Sequence, residues 1–151
     1  GGAEGGWMLG AVLSRLSALF SNSYQVNMLL AGIISRVLAS GDRPARLFLS
    51  SERVSAALPP DVPSLVSVLK SLGSEAAVRI KAVENADAKL AEVRRAMGAA
   101  ATIPADSDDL SPEELREKRL LAGVVVLLEF RAELYFTLEA TVLCSETWGL
   151  R

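Results

Sequence analysis

A regular spacing of apolar residues between Val62 and Met97 constrains the fold of this chain more than any other feature. Apolar residues recur there in steps of seven, at Leu69, Ala76, Val83, Leu90 and Met97. A second apolar set, interrupted at Arg79, fills the alternate positions, at Leu65, Leu72, Ala86 and Val93. This spacing predicts one helix of about 35 residues, which is roughly 50 Å long at 1.5 Å per residue. The apolar stripe of such a helix needs an equally long cover.

The segment 111–147 is the one stretch long enough to supply that cover. It begins with Ser-Pro-Glu-Glu, in which Ser111 predicts an N-cap and Glu114 predicts the returning hydrogen bond of a capping box. Apolar residues again recur in steps of seven, at Leu121, Leu128, Tyr135 and Val142. We therefore expect the long helix and this segment to form an antiparallel hairpin. The first two helices should pack on the other side of segment 111–147.

The remaining segments complete an all-α fold, which is either a helical bundle or the terminus of an α-solenoid. Ser23 is the expected N-cap of the second helix. In this prediction residues 7–151 form a single helical domain, and residues 1–6 are a flexible start or a cloning remnant. Because the chain begins without methionine, we expect it to be a piece of a longer protein. Helices are expected at about 7–21, 23–40, 43–50, 62–97 and 111–147, with a linker at 98–110.

Charge and residue usage exclude several classes of function. The net charge is −2, whereas a nucleic-acid binder needs a dense basic patch. The chain has no histidine and one cysteine, Cys144, so it lacks the commonest general base and metal ligand and cannot form an internal disulfide. We therefore predict no enzyme activity, no cofactor and no metal. The longest apolar run, Leu120 to Leu128, is too short to span a bilayer, and a cytoplasmic location is expected.

Two groups of side chains could carry chemistry, and each has a simpler interpretation. Glu129 and Glu133 are four residues apart on the last predicted helix, with Glu139 further along, so a carboxylate pair for acid–base or metal chemistry is one interpretation. A solvated stripe beside Arg131 is favoured, because no second helix offers a Glu-x-x-His motif. Cys144 could be a reactive thiol, but no neighbouring cation is available to activate it. We interpret it as a half-buried structural cysteine.

Four residues are candidates for structural or partner contacts. Asn27 lies among apolar residues of the second helix, where it either fixes a partner or a register or is exposed or satisfied locally. Gly32 predicts the close approach of a neighbouring helix, and Gly73 predicts a close crossing or a slight bend of the long helix. Trp7 and Trp148 lie near the two ends of the chain and are either core anchors or exposed hot spots for binding.

A mixed polar and apolar motif opens the second predicted helix, where residues 22–33 read NSYQVNMLLAGI. This motif resembles the NS-x-x-VN-x-LLTG-(I/L) helix of the FHF complex subunit HOOK-interacting protein (FHIP) family, with Ala31 in place of the usual threonine. Later segments fit the same order. Residues 44–49 resemble the family's Pro…Leu-Arg-x-Phe-Leu turn, and residues 63–72 resemble its PSL…VL helix start. Residues 118–138 resemble its C-terminal RR…VIVLEEFLKEL helix.

The resemblance implies the C-terminal region of a non-enzymatic adaptor. FHIP proteins join Hook proteins and FTS, which has a ubiquitin-conjugating-enzyme-like fold without activity, and they link dynein–dynactin to early endosomes. Expected partners are therefore Hook and FTS homologues and a Rab GTPase, with peripheral association at the early endosome through these partners. The resemblance carries no catalytic residue to this chain. The alternative is a self-associating coiled-coil assembly domain. An enzyme or small-ligand bundle would need a polar-lined internal pocket that these core residues do not supply.

Overall fold

The structure is a computed structural model, and the part of the chain that it describes contains five helices packed in an all-α bundle. The described backbone comprises residues 2–40, 64–99 and 109–147, and the described side chains are those of residues 8–40, 64–98 and 109–134. These parts of the chain contain no strand, which confirms the predicted fold class. The helices are α1 (Gly2–Leu16), α2 (Tyr24–Ala39), α3 (Leu65–Ile80), α4 (Ala86–Ala99) and α5 (Pro112–Thr147).

Short polar signals set the helix starts where the sequence predicts them. The Ser23 side chain accepts a hydrogen bond from Val26 N at 3.4 Å and caps α2. Ser111 and Glu114 form the predicted capping box before α5. Ser111 N donates to Glu114 Oε2 at 2.9 Å, and Glu114 N donates to Ser111 Oγ at 3.2 Å.

Other predicted boundaries differ or lie outside the described residues. Residues 2–6 are helical and belong to α1, so this helix begins earlier than the predicted residue 7. The helix expected at 43–50 lies outside the described residues. So does most of the linker expected at 98–110, although its first two residues end α4.

The prediction of one continuous helix over 62–97 is wrong. The helical pattern stops at Ile80 and resumes at Ala86, with a turn at residues 81–85. The end of α3 tightens, and Ala82 N donates to Arg79 O at 3.2 Å. Asn85 then adopts a φ of 55°, a left-handed conformation that asparagine tolerates better than most residues. The backbone therefore changes direction at Asn85, and α4 begins as a separate helix.

The apolar stripe that suggested the long helix nevertheless faces the core throughout. Ala76 belongs to the buried cluster, and the other four residues of the seven-step set pack against it while partly buried, namely Leu69, Val83, Leu90 and Met97. The break at residues 81–85 interrupts the backbone without turning the stripe outward. The periodicity therefore predicts correctly which residues face the core. It predicts wrongly that a single continuous helix carries them.

The core lies between α1, α2, α3 and α5. Its most deeply buried large side chains are Leu13, Leu16, Leu19, Ile34 and Leu72. As predicted, α5 packs against the long stripe and the second helix, since it contacts α2, α3 and α4, whereas α1 packs mainly on α2 and α3. Gly73 of α3 lies beside Arg131, whereas Arg79, further along, lies over the Phe20 ring that abuts Gly123. This order of contacts makes α3 and α5 antiparallel.

The buried face of α5 is wide, but it does not follow the predicted seven-step seam at every position. Leu121 is buried, whereas Leu128, one step later, is 47% exposed. Among the described residues, α5 contributes most of its buried side chains between Leu120 and Leu127. A helix buried over so much of its circumference contacts several neighbours, and a single stripe cannot describe it.

Candidate protein-interaction surface

Helix α2 has one buried face and one exposed apolar face. Its buried residues are Asn27, Leu30, Ile34 and Leu38. On the opposite side Met28 is 45% exposed, Leu29 67% and Ile33 39%. We define the outer face of α2 as Gln25, Met28, Leu29, Gly32, Ile33 and Arg36. A surface helix of a globular protein usually turns polar residues to solvent, so this arrangement is unusual.

Hydrogen bonds at the corner between α1 and α2 fix the direction of this face. Asn22 is 3% exposed, and its Nδ2 donates to Arg15 O at 3.0 Å. Asn27 is 1% exposed, and its Nδ2 donates to Leu19 O at 2.9 Å. The two amides satisfy carbonyls at the end of α1 and in the turn that follows it. With the Ser23 cap, they join the two helices at a defined angle.

The structure rules out one interpretation of Asn27 and fits another. The side chain is buried and bonded locally, so the exposed alternative is wrong and the locally satisfied alternative fits the structure. Its Oδ1 has no hydrogen-bond partner among the described residues. Asn27 acts as a structural residue that holds the α1–α2 corner, and it supports the outer face without belonging to it.

Gly123 of α5 also shapes this corner, and sequence reasoning missed it. A Cβ atom at Gly123 would lie 2.8 Å from Phe20 Cδ1 and 3.3 Å from Leu19 O. Only glycine therefore allows α5 to approach the corner this closely. The preceding turn of α5 adds Arg119, whose Nη1 donates to Ser21 O at 2.7 Å. The available signal was a glycine inside the apolar run of the last helix.

No helix approaches closely at either of the two glycines for which the sequence suggested it, Gly32 and Gly73. A Cβ atom at Gly32 would meet nothing within 4 Å, so the predicted close approach of a helix there is wrong. At Gly73 the nearest atom is Arg131 Nη1 at 3.9 Å, which is an ordinary contact rather than a close crossing. Gly32 instead lies in an open notch between the exposed side chains of the outer face. The side chains of Trp7 and Trp148 lie outside those described.

A groove adjoins the outer face at the start of α2. It encloses about 210 Å³ between α2, α4 and α5. Tyr24 lines it and lies one helical turn before Met28, so groove and outer face share one edge. The rest of the lining is apolar, apart from one carboxylate and two cations, and consists of Val93, Ala96, Met97, Ala122, Glu92, Lys118 and Arg119.

Another hollow near the core, which Val68 and Leu72 also line, contains a charged group that forms an ion pair. It encloses about 200 Å³ beside α3 and is lined by Ser17, Ser67 and Ser71 together with Glu75. Glu75 Oε1 accepts a hydrogen bond from Arg79 Nη1 at 3.0 Å within the same helix.

The carboxylates of the last helix adopt the arrangement of a solvated stripe. Glu129, Arg131 and Glu133 are all exposed. Within the side chains that the structure describes, no group of three or more potential metal-ligating residues comes together. The side chains of Glu139 and Cys144 lie outside the described set.

Comparison with known protein families gives a match for part of the chain. Residues 5–100 match the model of a family described as being of unknown function (DUF5917). The matched part contains α1 to α4, and hence the α1–α2 corner and the outer face. No curated protein and no solved structure matches the chain. Among the described helices, none combines the length and the hydropathy that crossing a bilayer requires.

Proposed function

The chain belongs to the DUF5917 family, and for this member we propose the role of a non-enzymatic adaptor domain in the cytoplasm. The domain would resemble the C-terminal region of FHIP proteins, which link Hook–FTS and dynein–dynactin to early endosomes. The observation that supports this proposal is the exposed apolar outer face of α2. Its partners would be Hook and FTS homologues and a Rab GTPase, and they would recruit it to the endosome surface.

The outer face has the composition of a contact surface. Leu29 exposes two thirds of its side chain, at 67%, and Met28 and Ile33 flank it. Clustered apolar side chains on a water-facing helix typically mark a site for another protein. The face is backed by the core, so binding needs no folding of α2 and costs little ordering entropy.

The residues of the FHIP-like motif, 22–33, lie partly in the α1–α2 corner and partly on the outer face. Its polar members, Asn22, Ser23 and Asn27, form the hydrogen bonds of the corner. Met28 and Ile33 are exposed on the outer face. A motif that combines a rigid frame with an exposed apolar surface is what an adaptor requires, and this supports the proposal.

The proposal is tested by immunoprecipitation of the full-length protein. We compare the wild type with Leu29→Asp and with the control Val78→Asp, which changes a 71%-exposed residue of α3. Immunoprecipitation and mass spectrometry should recover Hook and FTS homologues with the wild type and the control. Leu29→Asp should lose them. Because both side chains are exposed, unfolding temperatures should stay close to that of the wild type. Failure of the wild type to recover either homologue, or equal recovery by all three proteins, would reject the proposal.

Self-association through the heptad stripes is less well supported. The stripe of α3 is packed inward, with Leu65, Val68, Leu72 and Ala76 all buried. A coiled coil between copies would require this stripe to be free. A monomer in light scattering removes this alternative.

A further inference from the structure

We propose that the outer face of α2 binds an amphipathic helix with acidic residues at one end of its apolar stripe. This inference rests on the proposed function, because it names the class of partner that would occupy the same surface. Three features of the face support it: its charge, the shape of its surface, and the buried residues behind it that keep it rigid.

All charged residues in the stretch of sequence that forms α2 and most of α1 are positive. The sequence contains no carboxylate between Glu4 and Asp42, and its charged residues in that interval are Arg15 and Arg36. Both arginines are exposed, and neither forms an ion pair within the described residues. Arg36 lies one turn beyond Gly32 on the same face, so the apolar surface ends in a cation that forms no ion pair with the residues that the structure describes. A partner with a carboxylate at that end would be complementary to it.

The shape of the outer face is suited to binding a helix. Met28, Gly32 and Arg36 form one row at intervals of four residues, and Leu29 and Ile33 form the adjacent row. Gly32 interrupts the first row, and a Cβ there would meet nothing within 4 Å. The notch allows a large side chain, or the backbone of a helix, to approach α2 closely. Apolar anchors of a partner helix recur at i, i+3, i+4 and i+7 and can occupy the spaces between such rows.

The backing of the face is rigid. Directly behind it, Ile34 is 0% exposed and Leu38 3%, and Asn27 ties the start of α2 to the preceding turn. The apolar side chains are thus presented in a fixed arrangement, which favours a specific partner.

A lipid surface is the weaker competitor for the same face. Membrane-lying helices carry several lysines or arginines on their polar side, whereas α2 carries one arginine and Arg15 belongs to α1. One cation contributes about 1 kcal/mol of attraction to anionic lipid, which alone does not hold a helix on a membrane surface. Vesicle binding is therefore included as an outcome that would overturn the proposal.

The test uses two synthetic alanine-based peptides on the full chain. Both have leucines at the i, i+3, i+4 and i+7 positions, and one carries glutamates where the other carries lysines. The chain has three methionines, and they report on three surfaces when their methyl groups are labelled with ¹³C. Met28 lies on the outer face, Met97 in the groove and Met8 on α1. The glutamate peptide should shift the Met28 methyl signal and leave that of Met97 in place.

The charge dependence is measured with matched variants. The glutamate peptide should bind about fivefold more tightly than the lysine peptide. Arg36→Glu should reverse this preference, whereas the control Arg15→Glu should keep it. Leu29→Asp should remove binding of both peptides. A shift of Met97 in place of Met28, equal affinity for the two peptides, or binding of phosphatidylserine–phosphatidylcholine vesicles without peptide binding would each reject the inference.

The two proposals fail separately. If Leu29→Asp loses Hook and FTS homologues but no glutamate peptide binds the wild type, the adaptor proposal stands and the acidic-helix inference is wrong. If the glutamate peptide binds as expected while the wild type recovers neither homologue, the face recognises acidic helices but the adaptor proposal is wrong.

Discussion

Helices α3 and α4 come from one continuous apolar pattern, yet the protein packs them to different depths. Four residues of α3 are buried, namely Leu65, Val68, Leu72 and Ala76. On α4 the best-protected apolar residues, Ala86, Leu90, Val93 and Met97, are only partly buried. The difference follows from their neighbours, because α3 packs between α1 and α5, whereas α4 packs mainly on α5. The seven-residue spacing therefore identifies the side of each helix that faces the core. It does not determine how deeply that side is buried.

The contacts that hold α4 are correspondingly weak. Lys89 Nζ and Glu117 Oε1 are 2.9 Å apart, but their side chains are 37% and 38% exposed. Such pairs contribute about 0–1 kcal/mol. A groove separates part of α4 from Tyr24 of α2 and from α5. Regions with few buried contacts open first in the native state, so α4 should be the least protected of the described helices.

The largest expected difference in the free energy of unfolding is that between Leu72→Ala and Leu90→Ala. Leu72 is 2% exposed, and its truncation leaves a cavity that should reduce the free energy of unfolding by about 2–5 kcal/mol. Leu90 is only partly buried, so the same change should cost about 1 kcal/mol. Urea denaturation of both variants measures the difference. Equal losses would show that α4 is as firmly anchored as α3.

A smaller effect is expected from changing glycine to alanine on the two sides of the molecule. At Gly123 the new methyl group would lie 2.8 Å from the Phe20 ring, over which the Arg79 guanidinium of α3 sits at 5.7 Å from the ring centre. Overpacking this contact should reduce stability by about 1–3 kcal/mol. In α4, a Cβ at Gly98 would meet nothing within 4 Å. Gly98→Ala should therefore increase stability by about 0.5 kcal/mol, through the better helix propensity of alanine. Thermal unfolding compares the two, and a stabilising Gly123→Ala would contradict the close contact.

Local signals predicted much of this architecture because they act over a few residues. The cap at Ser23 and the capping box at Ser111 depend on side chains three residues or fewer from their partners, and the structure has both. The side of α3 and of α4 that faces the core also follows from local periodicity. These features need no knowledge of what packs where.

The candidate site could not be predicted in the same way, because it depends on which faces are left uncovered. Gly32 and Gly123 both stand in apolar helical segments, and the sequence does not distinguish them. One faces open space and the other the Phe20 ring. Likewise α2 is apolar around much of its circumference, and only the positions of α1 and α5 decide that Leu30 is covered and Leu29 is exposed. Tertiary packing, which is non-local, makes that choice.

The smallest expected difference between two variants is that between Asn85→Gly and Asn85→Ala. It is also the most direct test of the break between α3 and α4. Asn85 has a φ of 55°, and in this conformation a residue with a β-carbon costs about 1–2 kcal/mol relative to glycine, with asparagine at the lower end. Asn85→Gly should therefore be neutral or stabilising, and Asn85→Ala should reduce the free energy of unfolding by about 1 kcal/mol. If α3 and α4 formed one helix in solution, the order would reverse, since alanine is the best helix former and glycine costs about 1 kcal/mol inside a helix. Urea denaturation ranks the two variants, and circular dichroism shows whether Asn85→Ala gains helix. A more stable and more helical Asn85→Ala would mean that the continuous helix indicated by the apolar period forms after all, and that α3 and α4 share one axis.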